Sequence, residues 1–241
     1  MIKCELSIIV PTLREAMNIP ILVKEITTAL EPVLSDWEII IIDDNSRDGT
    51  IKICDRLSRE GAPLKLVVRK NKRGLATAVL DGFAHARAPV FVVMDADLSH
   101  PPTSIPLFYK MIQDGAEFVL GSRYIPGGGT DDRWTVYRLL NSKFASLLAR
   151  DLTSVSDPMS GFFALPRSLW ERCENLSPVG YKIGLELIVK GRPRNIKEVP
   201  IHFRTRMLGE SKLSLRQQLF YLNHLRSLYW YKLKSDKALE E

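Results

Sequence analysis

Along the first half of the chain the apolar positions fall into short unbroken runs separated by amphipathic stretches. Residues 6–10 form the first run and read as a buried strand. The stretch from 18 to 34 carries helical spacing, with Pro20 placed for a first turn. Residues 37–42 are a second, β-branched run that stops abruptly at Asp43-Asp44. The turn-rich Asn45-Ser46-Arg47-Asp48-Gly49 then leads into a helix over 50–60. Residues 64–68 predict a third strand, and 74–87 set Leu75, Val79 and Phe83 on one helical face. Residues 90–94 are a fourth strand, ending in Asp95-Ala96-Asp97, and 117–121 a fifth.

Unbroken apolar strands alternating with helices predict an α/β domain whose mainly parallel sheet is covered on both faces. Ligands bind such sheets beyond the carboxyl ends of the strands. Two strands here end in acidic residues at that edge. After Gly121 the texture changes, with a loop at Pro126-Gly127-Gly128-Gly129, a helix over 134–150 and a second loop around 156–161. Residues 195–203 read as a late strand, and Pro200 places it at a sheet edge. From 214 to about 234 the chain is helical in pattern and rich in Leu, Tyr and basic residues. The division expected is a domain over 1–213 and an amphipathic, basic helical tail over 214–241. No internal repeat interrupts it.

Composition changes this picture little. The 241 residues suit one α/β domain with a short appendage, and 45% hydrophobic residues can fill its core. No apolar run reaches the roughly 18 residues of a spanning helix. The first run is followed at once by Pro11, Arg14 and Glu15, which does not fit a signal peptide, so the chain reads as cytoplasmic. Cys4, Cys54 and Cys173 are scattered and form neither a zinc pattern nor a disulfide framework. A formal charge of +6, from 34 Lys and Arg against 28 Asp and Glu, suits an anionic partner without selecting nucleic acid, phosphate ligand or membrane. The clustered acids lie in the first half, and the chain is basic from Arg192 onward.

Asp95 and Asp97, at i and i+2 after a buried strand, can flank Mg²⁺ or Mn²⁺ while a substrate diphosphate completes the shell. The alternative is that both acids cap the next turn. Ser99 could add a hydroxyl or hold a water on the ion. Asp43 and Asp44 could recognise a nucleoside through base N–H groups or ribose hydroxyls, or serve turn and capping chemistry with Ser46 and Asp48. Both uses are compatible. Pro11-Thr12 and Glu15 could form another wall of the pocket. Arg123, in Gly121-Ser122-Arg123-Tyr124, ends the fifth strand and could bind phosphate bidentately, or be an ordinary surface arginine.

In chain order these pieces are Pro11-Thr12-x-x-Glu15, Asp43-Asp44-x-Ser46-x-Asp48-Gly49-Thr50, Asp95-Ala96-Asp97-Leu98-Ser99-His100-Pro101-Pro102 and Gly121-Ser122-Arg123-Tyr124. The ordered set resembles the inverting family 2 glycosyltransferases of the GT-A nucleotide-sugar fold. More narrowly it resembles the dolichol-phosphate and polyprenol-phosphate mannose synthase group. Arg138-x-x-x-Ser142, Ser156-Asp157-x-x-Ser160-Gly161-Phe162 and Phe203-x-x-Arg206-x-x-Gly209-x-Ser211-Lys212 extend the match. The resemblance implies a nucleotide-sugar site at Pro11, Leu13, Glu15, Ile41, Asp43, Asp44, Asp95, Ala96, Asp97, Arg123, Arg206 and Lys212. Within it Arg206 and Lys212 embrace the diphosphate. It implies a metal on Asp95, Asp97 and the Ser99 position, and an acceptor phosphate on Arg123, Arg138 and Ser142. Asp97, Arg123 and Arg138 would carry the catalysis. Two departures are plain: Leu13 stands where the family often has Tyr, and Ser99 where it often has Gln.

The activity so implied is inverting transfer of mannose from GDP-mannose to a dolichyl or polyprenyl phosphate. An already ionised phosphate oxygen needs no general base. What remains is to hold two anions in line and stabilise the leaving group. The Gln-x-x-Arg-Trp motif of processive synthases is absent, which favours a single transfer. In the tail Leu215, Leu219 and Leu222 share a face, with Arg216, Arg226, Lys232 and Lys234 near and aromatic Tyr229, Trp230 and Tyr231 following. That suits an interfacial helix on the cytoplasmic face of a membrane, or an ordinary packed one. Trp134, Val136, Leu139, Leu140 and Phe144 form a second candidate contact, and a membrane-anchoring subunit is a further route. The same fold with UDP-glucose or another donor, on a lipid phosphate or a hydroxyl, is the alternative. Nucleic acid is not an expected partner, because the acidic strand ends repel a polyanion.

Overall fold

The β-branched runs make strands buried on both faces, so they require helices above and below. The computed structural model describes residues 4–131, 136–177, 182–205 and 215–240; of 136–140, 142, 215–219 and 236–240 it describes the backbone alone. Its strands are β1 Leu6–Thr12, β2 Trp37–Asp43, β3 Leu64–Val68, β4 Val90–Val93, β5 Phe118–Ser122, β6 Gly129–Thr130, β7 Phe163–Pro166, β8 Ile196–Pro200 and β9 His202–Phe203. Its helices are α1 Ile19–Leu30, α2 Thr50–Arg59, α3 Leu75–His85, α4 Ile105–Gln113, α5 Val136–Leu148, α6 Arg167–Glu171, α7 Ile183–Gly191 and α8 Leu215–Glu240.

Seven strands form one sheet in the order β3-β2-β1-β4-β7-β5-β8, and β6 pairs with β9 apart from it. All neighbours in the large sheet run parallel except β7, which is antiparallel to β4 and β5. The chain winds outward from β1 to β3, then crosses to β4 on the other side of β1. That reversal leaves a crevice at the carboxyl ends of β1 and β4, where open α/β sheets bind ligands. Register brings the ends together: Thr12 lies beside Asp43, and Ile9 beside Val93.

Alternating side chains serve two cores. Ile8, Val10, Ile39 and Ile41 pack with Leu22 and Ile26 of α1 and Phe108 of α4. On the opposite face Ile9, Ile40 and Ile42 pack with Val79 and Phe83 of α3. Gly82 lets α3 lie close, since a Cβ there would collide with the Ile9 side chain. A third cluster joins Tyr221, Leu225 and Leu228 of α8 to Leu185 and Val189 of α7. The Tyr221 hydroxyl donates to the Ala145 carbonyl at 2.6 Å and that of Tyr229 to Leu148 at 2.9 Å. The expected tail is therefore fastened to the domain by one face.

Every predicted strand is found, within two residues at each end, but the late one is broken. Ile201 separates β8, an edge strand as Pro200 implied, from β9, which turns away to pair with β6. Five elements had no counterpart in the sequence reading, of which β6 and α6 are only two and five residues long. Strand β7 is four residues long, and α7 buries all nine of its residues, so neither shows a periodic polar face. Helix α4 did carry the signal, with Ile105, Phe108 and Ile112 buried and Pro106 in its first turn. Among the described residues no helix is long and apolar enough to cross a membrane.

Candidate active site

Beyond β1 and β2 the loops are tied to one another by side chains of the second. The Arg14 N–H donates to Ser46 Oγ at 2.8 Å, with Arg14 itself in the left-handed region at φ 61. Asp48 accepts from the Ala16 N–H at 3.1 Å and from the Thr50 hydroxyl at 2.7 Å, at the start of α2. Burial pushes the Asp48 carboxyl up, but the Thr50 hydroxyl and these N–H groups hold it below the usual carboxylate range. Ser46 and Asp48 thus take part in the turn and capping chemistry expected of this segment.

Asp43 is wholly buried and accepts from the Ser46 N–H at 2.7 Å through Oδ2. Its Oδ1 is buried with no hydrogen-bond partner. An unmade bond at a buried acceptor costs about 1–3 kcal/mol, so this atom marks a place for a ligand's N–H or O–H. Pro11 and Leu13 are half-buried and flank Thr12, which pairs with Asp43 across β1 and β2, and Glu15 accepts from Asn18 Nδ2 at 2.6 Å. Two expected contact residues already have partners within the protein. Both Asp44 oxygens are engaged, one by Arg69, whose Nε donates at 2.6 Å, and one by the Gly74 N–H at 2.9 Å. Ile41 is fully buried in the core and presents no surface to a ligand.

The turn after β4 is shaped around two carboxylates. Asp97 Oδ1 accepts from the Ser99 N–H at 3.1 Å and from the Ser99 hydroxyl at 2.5 Å. Leu98 between them is left-handed at φ 63, a strained conformation for a branched residue, and its side chain is buried. Ser99 is fully buried, so its hydroxyl orients Asp97 rather than standing as an independent ligand. The Ala96 methyl group packs into the core. Asp95 remains partly exposed, and its backbone N–H donates to His100 Nδ1 at 3.0 Å.

Arg123, after β5, is not an ordinary surface arginine. Its Nε and Nη2 donate to the two oxygens of Asp157 at 2.6 and 2.7 Å, and its backbone N–H adds a third bond at 3.1 Å. The guanidinium lies 5.1 Å over the Tyr124 ring and 5.4 Å from that of Phe203. Burial alone would lower its pKa, but the wholly buried Asp157 outweighs burial and raises it. The expected phosphate-gripping charge is therefore already balanced by a bidentate partner.

Sequence reasoning missed Lys182, which precedes α7. Its ammonium donates to the Met159 carbonyl at 2.5 Å. Burial pulls its pKa down to about 8, helped by Arg123 and opposed by Asp157 and Asp95. Those couplings place it with the acidic turn and the Arg123–Asp157 pair. Asp157 and His100 stood in quoted motifs but had no assigned role. Beside Arg123 an open groove of about 920 Å³ runs past Tyr124, Lys143, Leu147 and Arg150. The side chains of Arg138 and Ser142, and all of Arg206 and Lys212, lie outside the described residues.

Comparison with known proteins gives three findings. The model of the family described as glycosyl transferase family 2 matches residues 7–173. Dolichol-phosphate mannosyltransferase of Saccharomyces cerevisiae is 42% identical over 243 residues, covering 98% of this chain and 91% of that protein. The protein of the same name from Pyrococcus furiosus is 38% identical, covering 98% of this chain and 67% of its own length. Among solved structures, glucosyl-3-phosphoglycerate synthase from Mycobacterium tuberculosis, in complex with Mn²⁺, UDP and glucosyl-3-phosphoglycerate, superposes with a TM-score of 0.67. It is 17% identical and covers 95% of this chain and 80% of that one, a likeness of fold.

Proposed function

The chain belongs to glycosyl transferase family 2, and on that premise we propose that it transfers mannose from GDP-mannose to dolichyl or another polyprenyl phosphate. It is a glycosyltransferase with a GT-A-like α/β fold. The observation that carries the finer reading is one carboxyl edge holding a buried, unpartnered Asp43 oxygen and the Asp95–Asp97 pair. The mannosyltransferase relatives supply the sugar and the acceptor class.

In this reading Pro11, Leu13, Glu15 and Asp43 hold the nucleoside, with Asp43 Oδ1 accepting from it. Asp95 and Asp97 fit a Mg²⁺ or Mn²⁺ ion: they are hard oxygen donors, and the Ser99 N–H and hydroxyl hold Asp97 in place. Among the described residues no third His, Cys, Asp or Glu joins them, which leaves the other positions to diphosphate oxygens. Such an ion would neutralise the leaving diphosphate, a task shared by Arg206, Lys212 and Lys182. Arg138, Ser142 and the Arg123 position receive the acceptor phosphate, reached along the groove past Lys143 and Arg150.

One phosphate oxygen then attacks the sugar's anomeric carbon as the bond to the diphosphate breaks on the opposite side, inverting that centre. No residue must remove a proton, because the nucleophile is already ionised. A long lipid requires membrane contact on the side of the acceptor. Leu222, Trp230 and Leu233 of α8 are exposed with Arg226 among them, on the side away from the packed Tyr221, Leu225 and Leu228. Phe144 and Leu147 of α5 are exposed as well. Such a surface suits peripheral attachment to the cytoplasmic face of a membrane, with residues 1–213 catalytic and 214–241 contributing the contact.

The test is a donor panel of GDP-mannose, UDP-glucose and UDP-N-acetylglucosamine with dolichyl phosphate and Mn²⁺, products identified by mass spectrometry. Mannosyl phosphodolichol from GDP-mannose is expected. A UDP-sugar product instead would overturn the donor assignment, and release of sugar without any lipid product would overturn the acceptor.

A further inference from the structure

We propose that His100 is a positioning residue for Asp95, fixing the carboxylate that holds the divalent ion; this rests on the donor reading above. Nδ1 of His100 accepts from the Asp95 N–H at 3.0 Å, so the ring proton of the neutral imidazole sits on Nε2. Nε2 in turn stands 3.9 Å from Asp95 Oδ2, too far for a hydrogen bond. The imidazole thus fixes the backbone of Asp95 while leaving its oxygens to another partner.

The ring cannot drift from this place. It is 1% exposed, lies parallel to the Phe162 ring at 5.1 Å and 17°, and meets Phe203 edge-on at 5.3 Å and 76°. Gly161 completes the enclosure. A Cβ there would lie 3.6 Å from His100 Cε1 and 3.7 Å from both Asp95 oxygens, so any longer side chain would cover the carboxylate. The Arg204 N–H donates to the Ser99 carbonyl at 3.0 Å, binding the same turn to the chain just after Phe203. His100 therefore stands where the acidic turn, the loop of Asp157–Phe162 and the chain at Phe203 and Arg204 meet. Groups that orient a ligand from behind typically change metal affinity by about 10–100-fold when removed.

The test is calorimetric titration of Mn²⁺ into the full chain saturated with GDP, for wild type, His100→Phe and His100→Asn, each with a melting curve. Phe keeps a ring for the Phe162 stack but cannot accept from the Asp95 N–H; about tenfold weaker Mn²⁺ binding is expected. Asn places an amide oxygen near the Nδ1 position and should stay within about threefold of wild type even though the stack is lost. A Phe variant that binds Mn²⁺ as well as wild type overturns the proposal, as does equal weakening in both variants that follows their loss of melting temperature. Should His100→Phe fail to fold, Asn decides: near wild-type affinity supports the proposal and about a tenfold loss overturns it. Wild-type protein that takes up no Mn²⁺ beside GDP overturns the donor reading and this inference together. Wild-type uptake with an undiminished Phe variant overturns this inference alone.

Discussion

The acidic strand ends and the arginine after β5 are held by opposite means. Asp43 accepts from the Ser46 N–H, and Asp97 from the Ser99 N–H and hydroxyl, so neutral donors of their own turns fix them in place. Arg123 is fixed by a second charge, the buried Asp157, and brings little net charge to the site. On the proposed function, the difference teaches that the donor side would attract a cation, whereas on the acceptor side Arg123 would supply shape. Positive charge there has to come from other residues, of which Lys143 and Arg150 are described.

The sharpest way to break this contrast is Asp97→Asn, which keeps the shape and removes the charge. Transfer of labelled mannose to lipid should fall by roughly 10³-fold, the scale of losing a charge-stabilising group in a closed site. Activity near wild type would mean that the carboxylate only caps its turn. On the other side Asp157→Asn leaves the Arg123 charge buried without its partner. Denaturant unfolding should register a loss of about 3–5 kcal/mol, and replacing both residues by apolar ones should restore much of it. An unchanged unfolding curve would show that the pair is not the organising contact it appears geometrically to be.

Smaller changes sharpen the same comparison. Ser99→Ala removes the hydroxyl that steadies Asp97 and should weaken Mn²⁺ binding beside GDP about tenfold, with melting nearly unchanged. Lys182 predicts a pH dependence. If its charge grips the donor, kcat/KM should decline as pH rises through about 8, and Lys182→Arg should flatten the decline. Its stability effect has the other sign. With a folded pKa below the unfolded one, the unfolded chain binds the extra proton, so this lysine's penalty is full below pH 8 and eases as pH rises above it. The smallest effect belongs to the outer face of α8, where Trp230→Ser should reduce binding to anionic vesicles about fivefold while leaving the melt intact.

Much of this was legible in the residues. The runs ending at Asp43 and Val93 declared a parallel sheet and its ligand edge, because a strand buried on both faces cannot alternate. A motif names neighbours in sequence and not their depth: Ile41 lies inside β2 below the carboxyl edge, and the Ala96 methyl group packs into the core. The pairing of Asp44 with Arg69 was not legible because nothing local announces a contact across 25 residues. The same holds for Asp157 and Arg123, which are 34 residues apart. Lys182 was invisible because one lysine before an apolar run reads as a helix end until the fold brings Arg123 and Asp95 to it.

The central claim is that a divalent ion on Asp95 and Asp97 bridges the chain to a nucleoside diphosphate. It is tested most directly by titrating GDP into the protein with Mn²⁺ present and again after chelation. Binding that weakens by about 100-fold or more on chelation is predicted, given the strength of a metal's hold on phosphate oxygens. GDP bound equally well in both conditions would contradict it.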